Sequence, residues 1–314
     1  MMHIAVIGAG LAGLAVSWHL LQKPGYSVDL FDPLGISGGA SRSSSGLLHP
    51  LHGRHALPSW RGEEGMAATR ALVDVAERAS GKIVASRSGI LRLAVTEEQR
   101  KNFAQRGEWW EIDEVKKRLP LAAPIPGLWI AHGMTIYTSL YLQGLWSACQ
   151  AKGAKLVLEK VTSLHPLDSY DGAVLATGFE TMQFSECAHL PLKKTAGQAL
   201  LCRWEEPLPF SLLSHGHIAL TEDPTICRIG ATYEHGASLS ENVVQELKEK
   251  VSLFYPPAQD FEVLEVQSGV RMSPKEGARP IVEQIKERIW VFTGLGSRGM
   301  LYHALLGKEL AERF

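Results

Sequence analysis

Gly8, Gly10 and Gly13 stand in G-x-G-x-x-G order within the segment H-I-A-V-I-G-A-G-L-A-G-L-A. Glycines at that spacing bring backbone amides against phosphate. Gly8 permits a tight turn out of a strand, Gly10 lets the chain approach a pyrophosphate with no Cβ in the way, and Gly13 allows a helix to pack closely on the strand. The helix that follows, opening at Leu11 and Ala12, offers unpaired N–H groups and a partial positive charge to the anion. Asp32 lies 24 positions after Gly8. A carboxylate there accepts hydrogen bonds from ribose hydroxyls and repels a 2′-phosphate. These residues together predict a dinucleotide site.

Three further small-residue segments bear on which dinucleotide. Residues 38–46 read G-G-A-S-R-S-S-S-G, which lays Ala40, Ser41, Arg42, Ser44 and Gly46, followed by Leu47, along a phosphate or a ring edge. Residues 171–178 read D-G-A-V-L-A-T-G, a strand whose small end (Ala176, Thr177, Gly178) faces the nucleotide, with Val161 closing the preceding apolar segment. Residues 294–299 read G-L-G-S-R-G. There Gly294, Gly296, Ser297, Arg298 and Gly299 lead into a last helix at Met300 and aim a second helix amino-terminus at the cofactor. A nicotinamide dinucleotide, bound mainly at one crevice, needs fewer such approaches than a long, extended FAD. FAD is therefore the expected cofactor, and non-covalent binding is expected ahead of covalent attachment.

The elements that must position these residues follow from periodicity and turn chemistry. Strands are predicted at 4–7, 27–31, 156–161, 173–175, 261–266 and 289–293. Helices are predicted at 11–21, 63–80, 97–106, 113–119, 139–151, 241–254 (with Ser240 as N-cap) and 300–313. Residues 192–230 hold short apolar runs broken by Pro, Gly and charge, as in antiparallel hairpins. The predicted fold is α/β: a Rossmann-like dinucleotide domain with a central parallel sheet, and an inserted α+β substrate domain with a mainly antiparallel sheet. The first is expected over 1–55, 135–182 and 266–314, the second over 56–134 and 183–265.

Composition narrows the setting. The chain has 314 residues, with 32 Lys+Arg against 33 Asp+Glu and a net charge of −1. That balance gives no electrostatic case for nucleic acid or an anionic membrane. The four cysteines form no C-x-x-C pair, which points to reduced, buried thiols in a cytoplasmic protein. No secretory leader is expected at the amino-terminus, and no apolar stretch reaches the roughly 20 residues needed to span a bilayer. His49, His52 and His55 recur every third residue, but Pro50, Gly53 and Pro58 break any regular helix there and no carboxylate or cysteine joins them, so no metal site is expected. A place for His49 near the cofactor ring fits better. Trp109 and Trp110 are read as packing of the smaller domain rather than a partner-binding patch.

The chain resembles the FAD-dependent oxidoreductases of the D-amino-acid oxidase, glycine oxidase and sarcosine oxidase type. The likeness covers nearly its whole length. It is carried by the amino-terminal fingerprint, the G-A-S-R-S-S-S-G loop, L-A-T-G, S-G-V-R-M (268–272) and G-L-G-S-R-G-M. Within the family, L-P-L-K-K-T-A-G-Q (190–198), I-G-A-T-Y (229–233) and G-L-G-S-R-G are closest to the FAD-dependent domain of the bifunctional enzymes that modify the tRNA wobble uridine; this chain is too short to add their methyltransferase domain. The resemblance implies oxidation of a C–N bond in an amine or amino acid, the flavin carrying the chemistry and the protein supplying position and electrostatics. It implies that Arg271 holds a substrate carboxylate, for which a guanidinium fork is well matched. Arg298 is expected either at the flavin edge, stabilising negative charge, or on the substrate. Tyr233 is expected either on the substrate side or in the core. A small-molecule amine is the expected partner. The carboxymethylaminomethyl group of a tRNA wobble uridine, a secondary amine bearing a carboxylate, is the alternative.

Overall fold

The computed structural model describes residues 1–235 and 241–314. A six-stranded sheet lies at its centre, in the order Lys155–Val157, Tyr26–Phe31, Met2–Ile7, Gly172–Leu175, Ile289–Thr293, Ile281–Lys286. The first five strands run parallel and the last antiparallel. Parallel pairing needs crossovers that cover the sheet. The sequence supplies apolar helices for this: Leu11–Leu20 is buried almost all round, through Leu11, Ala12, Leu14, Ala15, Val16 and Leu20. Gly62–Ser80 instead buries one stripe, Met66, Thr69, Leu72, Val73 and Ala76, at helical spacing. It packs with Thr138–Ala151 and with the last helix, Gly299–Ala311, over one continuous core. The helices approach closely because Gly144 faces the Ala76 backbone, where a Cβ would sit 2.7 Å from its carbonyl oxygen.

A second sheet has nine strands drawn from 90–130 and 192–274. It is antiparallel except where Ser211–Leu213 runs parallel to Ile90–Leu93. Its longest strands, Leu192–Arg203 and Glu262–Pro274, pair along their lengths with one irregularity at Leu201/Cys202. Its far face carries a separate apolar core, in which Trp110 stacks on Trp129 at 4.4 Å and Phe210 meets both edge-on. Trp110 is thus a packing residue. Its indole N–H donates to Glu108 and that of Trp109 to Glu111. All four cysteines are buried and reduced.

Most expected elements are present, with shifted ends. The strand expected over 156–161 stops at Val157, with Leu158 exposed. The one expected over 261–266 runs on to Pro274 through Gly269. The helix Val243–Ser252 starts later than expected, and Ser240 lies outside the described residues. The edge strand Ile281–Lys286, rich in charge, was not anticipated from periodicity. Among the described residues no helix is long and apolar enough to cross a membrane.

Candidate active site

Between the two sheets lies a cleft of about 410 Å³. At one end the first strand delivers the glycine turn. Gly8 adopts φ +109°, which L side chains rarely do, and a Cβ there would also meet the Ala176 backbone. Gly13 does not line the cleft. It faces the Gly8 carbonyl and Val6, so its role is the close packing of helix on strand. Gly10 opens onto the cleft with only Ser41 Oγ nearby, 3.1 Å from where a Cβ would be. Asp32 Oδ2 accepts from Ala9 N at 2.9 Å and Oδ1 from Leu34 N at 2.9 Å. Each oxygen keeps a further lone pair for a sugar hydroxyl.

The remaining expected cofactor residues divide. Leu11, Ala12, Ala40, Ser41, Ser44, Leu47, His49, Val161, Ala176, Thr177, Gly178, Gly294, Gly296, Ser297, Gly299 and Met300 line the cleft. Arg42, Gly46 and Arg298 do not. Arg42 turns away on the short helical turn Ala40–Ser43 into a small separate cavity with Tyr137, Glu222 and Arg228. Gly46 adopts φ +71° and packs on the Ile136 backbone, leaving no room for a side chain. Arg298 lies behind the lining, close enough that its charge bears on His49 and His52. The last helix is held in place from behind. Thr69 Oγ1 donates to Met300 O at 2.8 Å, and His303 bonds Gly299 O through Nδ1 (2.9 Å) and the Tyr141 hydroxyl through Nε2 (2.6 Å).

At the other end the cleft runs against the long antiparallel pair. Arg271, opposite Thr195 in the register, reaches over Gly197, whose missing Cβ makes room for the guanidinium. It lies 4.7 Å from the Tyr233 ring centroid, a cation–π contact that holds the fork without consuming its donors. Tyr233 is 62% exposed, so it belongs to the cleft wall and not to the core. Arginines paired with carboxylates among the described residues are Arg54, Arg61, Arg87, Arg118 and Arg203. Arg271 has no such partner.

Three histidines complete the wall, His49 and His217 buried and His52 half-buried. His49 and His52 stack at 4.4 Å, and His52 Nδ1 bonds Ser59 Oγ at 2.9 Å, while His55 turns toward Glu98. The three do not converge, and among the described residues no group of His, Cys, Asp and Glu could hold a metal ion. Burial, His52 and Arg92 push His49 well below its ordinary range. Burial, with Arg298 and Arg92 adding repulsion, lowers His52 to about 3. His217 is lowered to about 3 by burial and by Arg228 and Arg271. All three are neutral at pH 7. His52, noted in the sequence only for its spacing with His49 and His55, also lines the cleft, as do His217 and Gln198, which had no local signal. They arrive through strand register and loop packing.

A phosphate cradle continuous with a wall of arginine and neutral histidine defines a dinucleotide-dependent oxidoreductase. The model of the FAD dependent oxidoreductase family (DAO) matches residues 3–313, and the chain belongs to that family. It is 25% identical over 337 residues to a tRNA 5-methylaminomethyl-2-thiouridine biosynthesis bifunctional protein MnmC from Maricaulis maris, covering 98% of this chain and 51% of that protein. A protein of the same name from Burkholderia lata is 28% identical over 73% of this chain and 39% of its own length. The chain thus spans about half, or less, of the curated relatives it matches. The fold is that of glycine oxidase from Geobacillus kaustophilus (TM-score 0.85, 20% identity, covering 100% of this chain and 95% of that one). It is also that of iminodiacetate oxidase from Chelativorans sp. BNC1 (TM-score 0.81, 17% identity, covering 98% and 94%).

The cleft fits FAD on its own terms. Gly10 leaves space in the cleft that a Cβ would fill, the helix Leu11–Leu20 opens at the lining through Leu11 and Ala12, and both Asp32 oxygens retain acceptor capacity.

Proposed function

We propose that this chain oxidises the C–N bond of an amino acid or a carboxylated amine. The observation that carries this reading is Arg271: a half-buried guanidinium on the cleft wall, fixed by Tyr233 and Gly197, with no carboxylate ion pair among the described residues. A bidentate grip on a substrate carboxylate would orient the adjacent carbon toward the cofactor. Bound FAD supplies the two-electron acceptor. The protein's own part is binding, orientation and the exclusion of water. Neutral His49, His52 and His217 add polar edges without a competing positive charge, so the substrate amine is not repelled.

Within this reading, 1–55, 135–182 and 266–314 hold FAD without a covalent bond and 56–134 and 183–265 face the substrate, with Arg271 added to the substrate side from the strand Glu262–Pro274 of the second sheet. Arg298 acts from behind the lining as a fixed positive charge. Arg42 and Gly46 serve the loop's shape. The setting is cytoplasmic. The test is anaerobic flavin reduction by carboxylated amines with wild type and Arg271→Leu. Each charge-assisted bond is worth about 1.5–3 kcal/mol, so KM should rise by at least about tenfold. An unchanged KM would remove Arg271 from the site.

A second reading is favoured by the MnmC relatives, which this chain matches over most of its length. Their part in tRNA 5-methylaminomethyl-2-thiouridine biosynthesis suggests a wobble-uridine amine in tRNA as substrate. Loss of the mature modified uridine in a deletion strain would support it. Full modification in that strain would rule it out.

A further inference from the structure

Two loops leave the same edge of the central sheet, one on each side of the glycine turn. Lys155–Val157 and Gly172–Leu175 point the same way, with Tyr26–Phe31 and Met2–Ile7 lying between them. Neighbouring strands are about 4.8 Å apart, so the ends of the outer two stand about 14 Å from each other. The chain that follows each nevertheless meets the other: Lys160 Nζ donates to Glu180 Oε1 at 2.7 Å. Both residues line the cleft, as do Gly8 and Asp32, which follow the two strands in between. The contact therefore bridges the cleft at its Asp32 end.

Both ends of the bridge are anchored. On one side Asp32 N donates to Val157 O at 3.1 Å, and Val161 packs on the apolar layer beneath. On the other, the fully buried Thr181 donates to Gly178 O at 2.8 Å and lies 3.2 Å from Thr293 Oγ1. Beside Glu180, the Phe179 ring takes Lys194 at 5.8 Å, which ties this turn to the second sheet. The ionic contact is the part that can open. Lys160 and Glu180 side chains are 44% and 28% exposed, and ion pairs so wetted hold their partners weakly. We propose that the Lys160–Glu180 pair is a strap across the adenosine end of the FAD cleft and sets how long FAD stays bound. Lys160 has a second effect there. Asp32, Glu159 and Glu180 all bring carboxylates to this end, and the ammonium offsets their repulsion of the cofactor's pyrophosphate. The strap rests on FAD lying with its ribose at Asp32, and not on the identity of the substrate.

The test is the rate at which FAD leaves the loaded protein on dilution, followed by the rise in flavin fluorescence at low and at high salt. At low salt Lys160→Met should release FAD about two- to fivefold faster than wild type, the span that breaking an exposed ion pair covers. Glu180→Gln should have a smaller effect, because it leaves the ammonium to face the phosphates. The exchanged pair, Lys160→Glu with Glu180→Lys, should release FAD at close to the wild-type rate. High salt should bring the ratio of Lys160→Met to wild type toward one, since screening weakens the pair in the wild type. Wild-type release in both single variants would overturn the strap. So would a faster release that the exchange does not reverse and salt does not diminish, which would mark a packing effect. Wild-type FAD affinity in Asp32→Ala would instead remove the seating on which the strap rests. No amine enters the measurement, so its outcome is independent of the proposed reaction.

Discussion

Replacing single glycines in the first turn separates packing from cofactor binding. In Gly13→Ala the new Cβ would sit against the Gly8 carbonyl, with Gly8 C at 3.1 Å and Val6 Cγ1 at 3.3 Å. The obstacle is backbone and cannot rotate away. Overpacking of that kind costs about 1–3 kcal/mol, and alanine regains up to about 1 kcal/mol of helix propensity. The net loss should be roughly 1–2 kcal/mol, read from urea unfolding of the flavin-free protein. Gly10→Ala differs. Its φ −86°, ψ −165° is open to alanine, and the nearest atom is Ser41 Oγ at 3.1 Å, on a side chain that can turn. Alanine is a poorer N-cap than glycine but meets no backbone there, so unfolding should move by less than about 1 kcal/mol. The methyl group would instead stand where the pyrophosphate approaches the helix amino-terminus. FAD affinity, followed by quenching of flavin fluorescence, should fall at least about tenfold, or 1.4 kcal/mol. Equal stability losses in the two variants, or wild-type FAD affinity in Gly10→Ala, would refute the division of labour.

Asp32→Ala should weaken FAD by at least about tenfold, because the acceptor for two backbone amides and for the ribose is lost at once; unchanged affinity in a fluorescence titration would exclude the ribose role. Tyr141→Phe should destabilise by about 1–3 kcal/mol by leaving the buried His303 Nε2 unpaired, and urea unfolding reads this directly. His52, His217 and His303 have folded pKa values of about 3, 3 and 4, below their ordinary 6.5. The unfolded chain therefore binds more protons than the folded one below about 6.5. Stability should fall as pH drops from 7 toward 4, by roughly 1.4 kcal/mol per pH unit for each such histidine. A flat urea midpoint between pH 7 and 5 would contradict their neutral burial.

The sequence disclosed this site unevenly, for physical reasons. The glycine turn, Asp32 and the last strand, Ile289–Thr293, were legible because each depends on local geometry that only certain residues adopt. The long strand Glu262–Pro274 was half seen. Gly269 reads as a break, yet it pairs with Gly197, and its missing Cβ leaves room for Ser43 Oγ, 2.5 Å from where that Cβ would be. Arg42 and Gly46 sit in the right loop, but a loop's composition does not say which way each side chain turns. His52, His217 and Gln198 reach the cleft only after sheet register and the turn that Arg92 holds through Leu51 O and Gly53 O are set. No local pattern encodes such long-range pairing.

The proposed reaction is reduction of the bound flavin by a carboxylated amine gripped by Arg271. The most direct measurement is anaerobic bleaching of the FAD-loaded protein by matched amines with and without the carboxylate, in wild type and Arg271→Leu. The carboxylated amine alone should bleach the flavin, with its half-saturating concentration raised at least about tenfold in the variant. Equal bleaching by both amines, or an unaltered response in Arg271→Leu, would contradict it.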